Sequence, residues 1–379
     1  MWPHVQPDPS VRALSDYSLD GLQQQIIAWG FKASHARPLL RNYYAGAGKV
    51  DWPELKMPRG LRDRVQAECG MMASAVAARQ VAGDGTVKLL LKLADGRTVE
   101  SVVMPAYQED RVAGCLSSQV GCALACDFCA TARSGFARNL SAGEMVEQFL
   151  HLRGEAQAVG RRLQTAVFMG MGEPLLNLEN VLEAVRRMAG GDMGALGWRQ
   201  VTVSTVGMVP GIDAMAAANL NINLAVSLHA PDDATRAQLI PSGRRFGVEE
   251  IMAAADRFQA KNHGRPVSIQ YCLLKGVNDL PEQARQLAAL LAGRRMHVNL
   301  LHYNPTGASL TGRVYEPSPP EAAERFMREL RARRVVAHFR RPRGRDIDAA
   351  CGQLRGRQEY KQRKAPSISG IVSRRSPLL

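Results

Sequence analysis

The sequence lacks any apolar run long enough to cross a lipid bilayer as a helix, which argues against an integral membrane protein. Its start, MWPHVQPDPS, also lacks the basic stretch followed by an apolar one that marks a secretory signal. Composition is otherwise ordinary: 46% of the 379 residues are hydrophobic and 22% are charged, which argues against wholesale disorder. We therefore expect a soluble, folded, cytoplasmic protein without membrane contact.

A disulfide framework is the next class of structure that the sequence disfavours. Seven cysteines are present, an odd number, in a chain without a recognisable secretory signal. Three of them, Cys122, Cys126 and Cys129, fall close together. This clustering needs an explanation other than structural cross-links.

Acidic residues are scarce relative to basic ones. Lys and Arg number 49 against 35 Asp and Glu, which gives a formal net charge of +14. Residues 331–345 contain seven arginines and no acid, and the tail at 355–379 is also basic. Such a surplus favours a polyanion, nucleic acid above all, as the partner, although many charge runs are only solvated surface. The basic carboxyl-terminal region is therefore the candidate binding surface.

The distribution of apolar residues predicts an α/β protein with several parts. Short helices broken by Pro and Gly are expected in a small accessory domain at residues 1–85. Alternating runs on either side of Asp95-Gly96 predict a β-hairpin connector at residues 86–110. The main domain is expected at residues 111–354, followed by the basic tail at 355–379.

The main domain shows apolar runs alternating with amphipathic helices, the pattern of repeated βα units. Six strands are predicted, and residues 335–339 can add one more. The six lie at residues 112–117, 165–169, 201–204, 222–228, 267–274 and 298–302. Ser141 with Glu144 has the pattern of a capping box, and Asn177 is placed to cap a helix at 178–188. These units predict a parallel sheet, closed fully or partly into a barrel, with chemistry on the loops after the strands.

The strongest chemical signal is the motif CxxxCxxC of Cys122, Cys126 and Cys129, which follows the first of these strands. Three thiolates on one loop suit a soft metal centre. A zinc site or an electron-carrying [4Fe-4S] cluster would normally take a fourth ligand, but the next cysteine is Cys272 and no His occurs before His151. Three ligands leave one iron of a [4Fe-4S] cluster open for the amino and carboxylate groups of S-adenosylmethionine (SAM).

This motif, with Phe128 at the usual aromatic position, resembles the radical SAM superfamily. Further stretches resemble, in order, the RlmN/Cfr family of radical SAM RNA adenine methyltransferases. They are GCLSSQVGC from Gly114, GMGEPL from Gly170, VTVST from Val201, SLHA from Ser227, Asn304-Pro305, and DIDAACGQL from Asp346. The resemblance covers about residues 100–354, and the residues around Cys122 are more similar to the RlmN branch than to the Cfr branch.

The resemblance implies a partial (β/α)6 radical SAM barrel with a [4Fe-4S] cluster on Cys122, Cys126 and Cys129. It also implies a set of SAM-binding residues at or beyond the strand ends. This set is Gly172, Glu173, Ser204, Ser227, Leu228, His229 and Asn304. Each of them alone is more commonly a turn residue or a buried polar group satisfied by the backbone.

Catalytic roles follow from the same resemblance. Cys351 would take a methyl group from one SAM, and a radical made from a second SAM would activate that methyl group for addition to adenine. Cys115 would resolve the protein–RNA adduct by forming a transient disulfide with Cys351. Glu100 matches the proton acceptor, with an exposed strand glutamate as the alternative. Two SAM molecules per turnover and an external electron donor are therefore expected.

The thiolate of Cys351 would be favoured by nearby arginines at 341, 343 and 345 and opposed by the acids at 346 and 348. Cys69 and Cys272 are interpreted as structural thiols. Gln270, where a Glu is usual, and the segment at 306–314 depart from the common pattern of the family.

The implied substrate is an adenosine of 23S ribosomal RNA, methylated at C2, with tRNA as a possible further substrate. Methylation at C8, as in Cfr, stays open because both branches use the same cysteine pair. A radical SAM enzyme acting on a peptide or small molecule also stays open, as does an iron–sulfur or RNA-binding protein without catalysis. A base in folded RNA must be unstacked to reach a barrel mouth, so the basic tail and the helical accessory domain are expected to hold the RNA.

Overall fold

The structure is a computed structural model that describes residues 12–355 of the chain. The predicted basic tail therefore lies outside the described residues, apart from Arg355. Within the described part, no helix combines the length and apolar character needed to cross a membrane.

A ten-stranded sheet forms the framework of the molecule. Its strands are β1 (Ala75–Val81), β2 (Val87–Lys92), β3 (Thr98–Pro105), β4 (Arg111–Leu116), β7 (Arg162–Phe168), β8 (Val201–Thr205), β9 (Asn223–Ser227), β10 (Val267–Leu273), β11 (Met296–His302) and β12 (Val336–Arg340). They lie side by side in that order. A separate two-stranded sheet pairs β5 (Gln119–Gly121) with β6 (Phe136–Asn139).

Ten α-helices accompany these strands in the described part of the chain. They are α1 (Leu19–Ala28), α2 (Ala36–Ala45), α3 (Arg59–Glu68), α4 (Ala142–Ala158), α5 (Leu178–Ala189), α6 (Val209–Ala217), α7 (Asp233–Leu239), α8 (Val248–Lys261), α9 (Pro281–Leu290) and α10 (Pro320–Ala332). Most of the helices from α4 onward lie between successive parallel strands, as βα units require.

Strands β4 and β7 to β12 form a run in which each strand is parallel to the next, which confirms the predicted α/β class and partial barrel. The six predicted strands are present, and β12 is the additional one. The barrel is open because β12 pairs only with β11, while β4 continues the sheet through antiparallel β3. Strands such as β10 are buried along nearly their whole length, as apolar runs covered on both faces should be.

The predicted hairpin is present as β2 and β3, joined by a turn in which Gly96 adopts a φ of +82°. It is an integral part of the large sheet, because β3 pairs with β4. Strand β1 falls in the region expected to be helical. Its sequence, AVAARQV, is rich in alanine and weak in β propensity, so pairing with β2 overrides the local preference.

Of the two predicted helix caps, the one at α4 is confirmed and the side-chain cap at α5 is wrong. At α4, Ser141 Oγ accepts from Glu144 N at 3.1 Å, and Glu144 Oε2 accepts from Ser141 N at 2.9 Å, as predicted. Asn177 precedes α5 as expected but does not cap it with its side chain. Its amide instead donates to the carbonyl oxygens of Ser118 and Leu140, both at 2.8 Å, and so fixes the chain near the barrel mouth.

The amino-terminal helices pack directly on α4, and one buried apolar cluster includes both them and the barrel. Glu147 of α4 is at the centre of this contact and is 1% exposed. Its carboxylate accepts from Ser15 Oγ, Ala73 N and Ser74 N, each at 2.6 Å. Burial raises the pKa of Glu147, and these hydrogen bonds oppose the rise. The core is therefore continuous across residues 85 and 110.

We expect Glu147→Gln to lower the free energy of unfolding by about 1–3 kcal/mol, because a buried donor then faces an NH2 group instead of an acceptor. Denaturant unfolding followed by circular dichroism measures this loss. Glu155→Gln is the matched control on the same helix, since its ion pair with Arg79 is partly exposed and should contribute less than about 1 kcal/mol. Equal effects of the two substitutions would contradict a special role for Glu147.

Candidate active site

The three-cysteine loop lies between β5 and a short 3-10 helix at Ala130–Ser134. Cys122 N donates to Gly135 O at 2.8 Å, which closes the base of the loop. Gly121 has a φ of +77°, and a Cβ atom there would overlap the Gly135 carbonyl oxygen. The close approach of the two loop ends therefore requires glycine at position 121.

The three thiols lie near one another and near solvent, each partly buried. Burial raises the pKa of Cys122 to about 12 and that of Cys126 well above its usual value, and Cys129 adds to both shifts by electrostatic repulsion. Among residues 12–355, no three Cys, His, Asp or Glu side chains converge tightly enough to hold a single metal ion. Three thiols on one loop are a ligand set suited to an iron–sulfur cluster. Iron would bind them as thiolates and overcome the raised pKa values.

The segment after β7 places Glu173 beside this loop. Gly172 has a φ of +99°, and a Cβ atom there would lie 2.5 Å from Gln119 Cβ, so only glycine allows the close packing. Glu173 is 2% exposed, and its carboxylate accepts from Leu175 N and Val206 N, each at 3.0 Å. Burial raises the pKa of Glu173 to about 7, and these hydrogen bonds oppose the rise. A buried carboxylate of this kind is suited to a ligand ammonium group.

The other predicted SAM-binding residues also lie at the carboxyl end of the sheet. Ser204 Oγ and Ser227 Oγ, on neighbouring strands β8 and β9, are 3.3 Å apart. Asn304 follows β11, and its Oδ1 accepts from Arg345 Nε at 2.8 Å. Leu228 N donates to Gln270 O at 3.1 Å, which holds the end of β9 against β10.

His229 is held rigidly at the centre of this edge. Its Nδ1 accepts from Cys272 N at 3.0 Å, its carbonyl accepts from Asn278 Nδ2 at 2.7 Å, and its backbone φ is +60°. The Phe128 ring of the cluster loop meets the His229 ring edge to face, with 5.0 Å between centroids. Burial lowers the pKa of His229 to about 3, so the ring is neutral near pH 7.

The segment carrying Cys351 lies across the barrel mouth and is bonded to the cluster region. Ala130 N donates to Gly352 O at 2.7 Å, and Thr131 Oγ1 donates to Leu354 O at 2.7 Å. Two left-handed residues, Gly344 and Asp348, shape the turn before it. The predicted carrier segment is therefore placed directly beside the three-cysteine loop.

Cys115 and Cys351 are brought together although 235 positions separate them in the sequence. Burial raises the pKa of Cys115 to about 12, and Cys351 contributes to this rise by repulsion, which requires proximity. Cys351 is exposed, while Cys115 is buried on β4. The surrounding protein raises the pKa of Cys351 by desolvation, and Arg340 is the cation that opposes this rise, rather than the arginines expected from the sequence.

Glu100 is 3% exposed, so the alternative of an exposed strand glutamate is wrong. It lies on β3, and its carboxylate forms an ion pair with Lys88 Nζ at 3.1 Å. Oε2 also accepts from Arg355 N at 2.6 Å. Glu100 thus connects the hairpin to the carboxyl-terminal segment of the described chain.

Two parts of the site were not found from the sequence. Cys272 is buried as expected, yet the pKa of its thiol is raised first by burial and then by Cys351 and Cys129, which places it beside the site. The segment at 306–314 supports the cluster loop: Thr311 Oγ1 donates to Asp127 Oδ2 at 2.8 Å, and Arg133 Nη1 donates to Ala308 O at 2.5 Å. An unusual segment signals an extra contact, but its sequence does not identify the partner.

Comparison with known proteins agrees with this geometry. A family model described as the radical SAM superfamily matches residues 116–291. A probable dual-specificity RNA methyltransferase RlmN 1 from Opitutus terrae is 66% identical over 346 residues, covering 91% of this chain and 97% of the relative. A probable dual-specificity RNA methyltransferase RlmN from Gloeobacter violaceus is 43% identical over 358 residues, covering 94% and 92%. The crystal structure of a radical SAM methyltransferase from Sphaerobacter thermophilus superimposes with a TM-score of 0.85 at 39% identity, covering 91% of this chain and 100% of that chain.

The open parallel barrel, the three-cysteine loop after its first strand and these matches define a radical SAM enzyme, a class that uses a [4Fe-4S] cluster and SAM. Within that class, the chain belongs to the RlmN family of RNA methyltransferases. The family and the fold predicted from the sequence are confirmed.

We expect SAM affinity to increase as the pH rises toward 7, if Glu173 receives the SAM ammonium group. The pKa of Glu173 is raised by burial, so below about pH 7 the carboxyl group is protonated and the ammonium loses its counter-charge. Anaerobic SAM titrations between roughly pH 5.5 and 7.5, below the usual α-amino pKa, measure the dependence. Glu173→Gln should bind SAM more weakly and with a flat profile. An unchanged pH dependence in that variant would assign the titration to another group.

Proposed function

We propose that this chain methylates C2 of an adenosine in 23S ribosomal RNA, and in tRNA as well, through a methylated Cys351. The observation that carries the proposal is the juxtaposition of Cys115 and Cys351 at the mouth of a radical SAM barrel. A radical SAM enzyme that acts on a peptide or small molecule would not need this pair of cysteines in addition to the three cluster ligands. A buried thiol within electrostatic range of an exposed one suits a covalent carrier and its resolution.

Cys122, Cys126 and Cys129 hold the [4Fe-4S] cluster in this proposal, with Phe128 packed between the loop and His229. When bound by these residues, the cluster would supply the electron for reductive cleavage of SAM. Glu173 and Gly172 bind the SAM amino group, and Ser204, Ser227, Leu228, His229 and Asn304 line the remainder of the SAM site. Neutral His229, fixed through Cys272 N, keeps its ring orientation for this contact.

The Cys351 thiolate displaces the methyl group from the sulfonium of one SAM and releases S-adenosylhomocysteine. The radical from a second SAM then removes a hydrogen atom from the methylthioether, and the resulting carbon radical adds to the adenine ring. An indirect route is needed because an adenine ring carbon is a poor nucleophile toward a sulfonium. The adduct then loses one electron to an external one-electron acceptor and loses the ring hydrogen as a proton, which restores the aromatic ring. The Cys115 thiolate attacks the sulfur of Cys351 and breaks its bond to the transferred carbon, and that carbon takes up a proton to become the methyl group. The Cys115–Cys351 disulfide that remains must be reduced by an external donor.

Glu100 is the proposed proton acceptor for the adenine carbon. Its carboxylate is bonded to Lys88 Nζ and Arg355 N in the structure. For Glu100 to take a proton from the substrate, its hydrogen bond from Arg355 N must be exchanged for a contact with the adenine. Cys115 on β4 pairs with Val102 on β3, and Glu100 lies two residues from Val102, so the side chains of Glu100 and Cys115 are on the same face of the sheet.

RNA binding is supported by the position of the basic segment at 331–345. It runs from the end of α10 along the edge strand β12 to the carrier segment at the barrel mouth. Most of its arginines are exposed, among them Arg334, Arg340 and Arg341. An edge of this charge can hold the phosphates of an RNA whose target base is turned into the mouth. The amino-terminal helices are proposed to contact the same RNA.

We expect Cys351→Ala to abolish RNA methylation while iron content and reductive formation of 5′-deoxyadenosine persist, because the cluster ligands are unchanged. Mass spectrometry of reacted RNA locates the methyl group and separates C2 from C8 of adenine. Cys272→Ala is the matched control, since this neighbouring thiol has no role in the transfer and the variant should methylate RNA. Methylation at the wild-type rate by Cys351→Ala would exclude the carrier role.

Cys115→Ala tests the resolving role separately. This variant should accept the methyl group on Cys351 and then remain covalently bound to RNA, because no thiol is available to release the adduct. Denaturing gel electrophoresis of the reaction detects the adduct, and nuclease treatment followed by peptide mass spectrometry assigns it to Cys351. Multiple turnovers by Cys115→Ala would contradict this step.

A further inference from the structure

Arg236 is a buried cation without a nearby counter-charge in the described part of the chain. The side chain lies on α7, is 2% exposed, and is among the largest fully buried side chains. No carboxylate between residues 12 and 355 forms an ion pair with it; Asp233 interacts with it only at longer range. Burying an unpaired charge is strongly unfavourable, so its retention calls for a negative partner.

Backbone oxygens satisfy only part of the guanidinium. Arg236 donates to Val206 O and to Gly243 O, while Nε is buried and has no hydrogen-bond partner. The approach depends on the glycine, because a Cβ atom at Gly243 would overlap Arg236 Nη1. The peptide at Val206 also joins Arg236 to Glu173, since Val206 N donates to Glu173 Oε2 at 3.0 Å.

The guanidinium is fixed beside the three-cysteine loop. Asp127 N donates to Leu239 O at 2.9 Å, and Ser242 Oγ donates to Leu124 O at 2.8 Å. The end of α7 and the turn that follows it are therefore both bonded to the three-cysteine loop. Arg236 and Cys126 stabilise each other's charged forms, although burial dominates both groups. The negative charge nearest to Arg236 would be that of the three thiols after they lose their protons on binding iron.

We propose that Arg236 is a positioning residue that supplies the fixed positive charge offsetting the [4Fe-4S] cluster and raises the cluster's reduction potential. This inference depends on the proposed cluster ligands. A [4Fe-4S] core held by three thiolates is negatively charged, and reduction adds one further negative charge. A fixed cation nearby therefore stabilises the reduced form more than the oxidised form.

The test is a redox titration of the cluster-loaded protein followed by electron paramagnetic resonance. In Arg236→Gln and Arg236→Met, we expect the equilibrium constant for one-electron reduction of the cluster to fall about tenfold. This corresponds to a shift of the reduction potential by about 59 mV to more negative values. Arg236→Lys keeps the charge and should stay closer to wild type. Arg257→Gln is the matched control, because that exposed arginine is already paired with Asp213.

The outcomes separate this inference from the proposed function. Suppose that the cluster forms in wild-type protein and that its reduction potential is the same in Arg236→Gln, Arg236→Met and Arg236→Lys. This result overturns the role of Arg236 and leaves the ligand set intact. Absence of any cluster from wild-type protein overturns the ligand set and this inference together. If the Arg236 variants do not fold, Gly243→Ala displaces the guanidinium and retains its charge; a changed potential in that variant supports the proposal, and an unchanged one overturns it.

Discussion

The site depends on the hydrogen bonds that join the cluster loop to the carrier segment, above all Ala130 N to Gly352 O at 2.7 Å. This contact brings the end of the described chain back onto the first βα loop of the barrel. It fixes Cys351 beside the thiols of the cluster loop and close to Cys115 on β4. In the proposed reaction, this contact keeps the site of SAM cleavage next to the proposed methyl carrier.

Motifs that are far apart in the sequence meet at one edge of the barrel. Because the carboxyl ends of parallel strands meet at the same edge, Glu173, Ser204, Ser227 and Asn304 reach one region from four different strands. Burial at this edge has two further effects: it neutralises His229 and brings the pKa of Glu173 to about 7. Arg236 adds a fixed charge to the same region, which connects the electrostatics of the proposed SAM site with those of the three-cysteine loop.

The sequence predicted most of this arrangement because its signals are local. Apolar runs marked the strands, CxxxCxxC marked the loop, and Ser141 with Glu144 marked the start of α4. Features that depend on tertiary contacts were missed or wrong. Strand β1 forms against its local preference, Asn177 bonds to distant carbonyls instead of capping α5, and Glu100 is buried by Lys88 and Arg355. The positions of Cys272 and Arg236 also follow only from the folded chain.

The central claim is that three thiolates hold a [4Fe-4S] cluster with one iron site left open for SAM. Electron paramagnetic resonance of the anaerobically prepared, reduced protein, recorded with and without SAM, tests it most directly. We expect the signal of a reduced [4Fe-4S] cluster that changes when SAM binds, in protein whose iron and sulfide match one cluster per chain. A protein that contains zinc, or a cluster whose spectrum is indifferent to SAM, would contradict this claim.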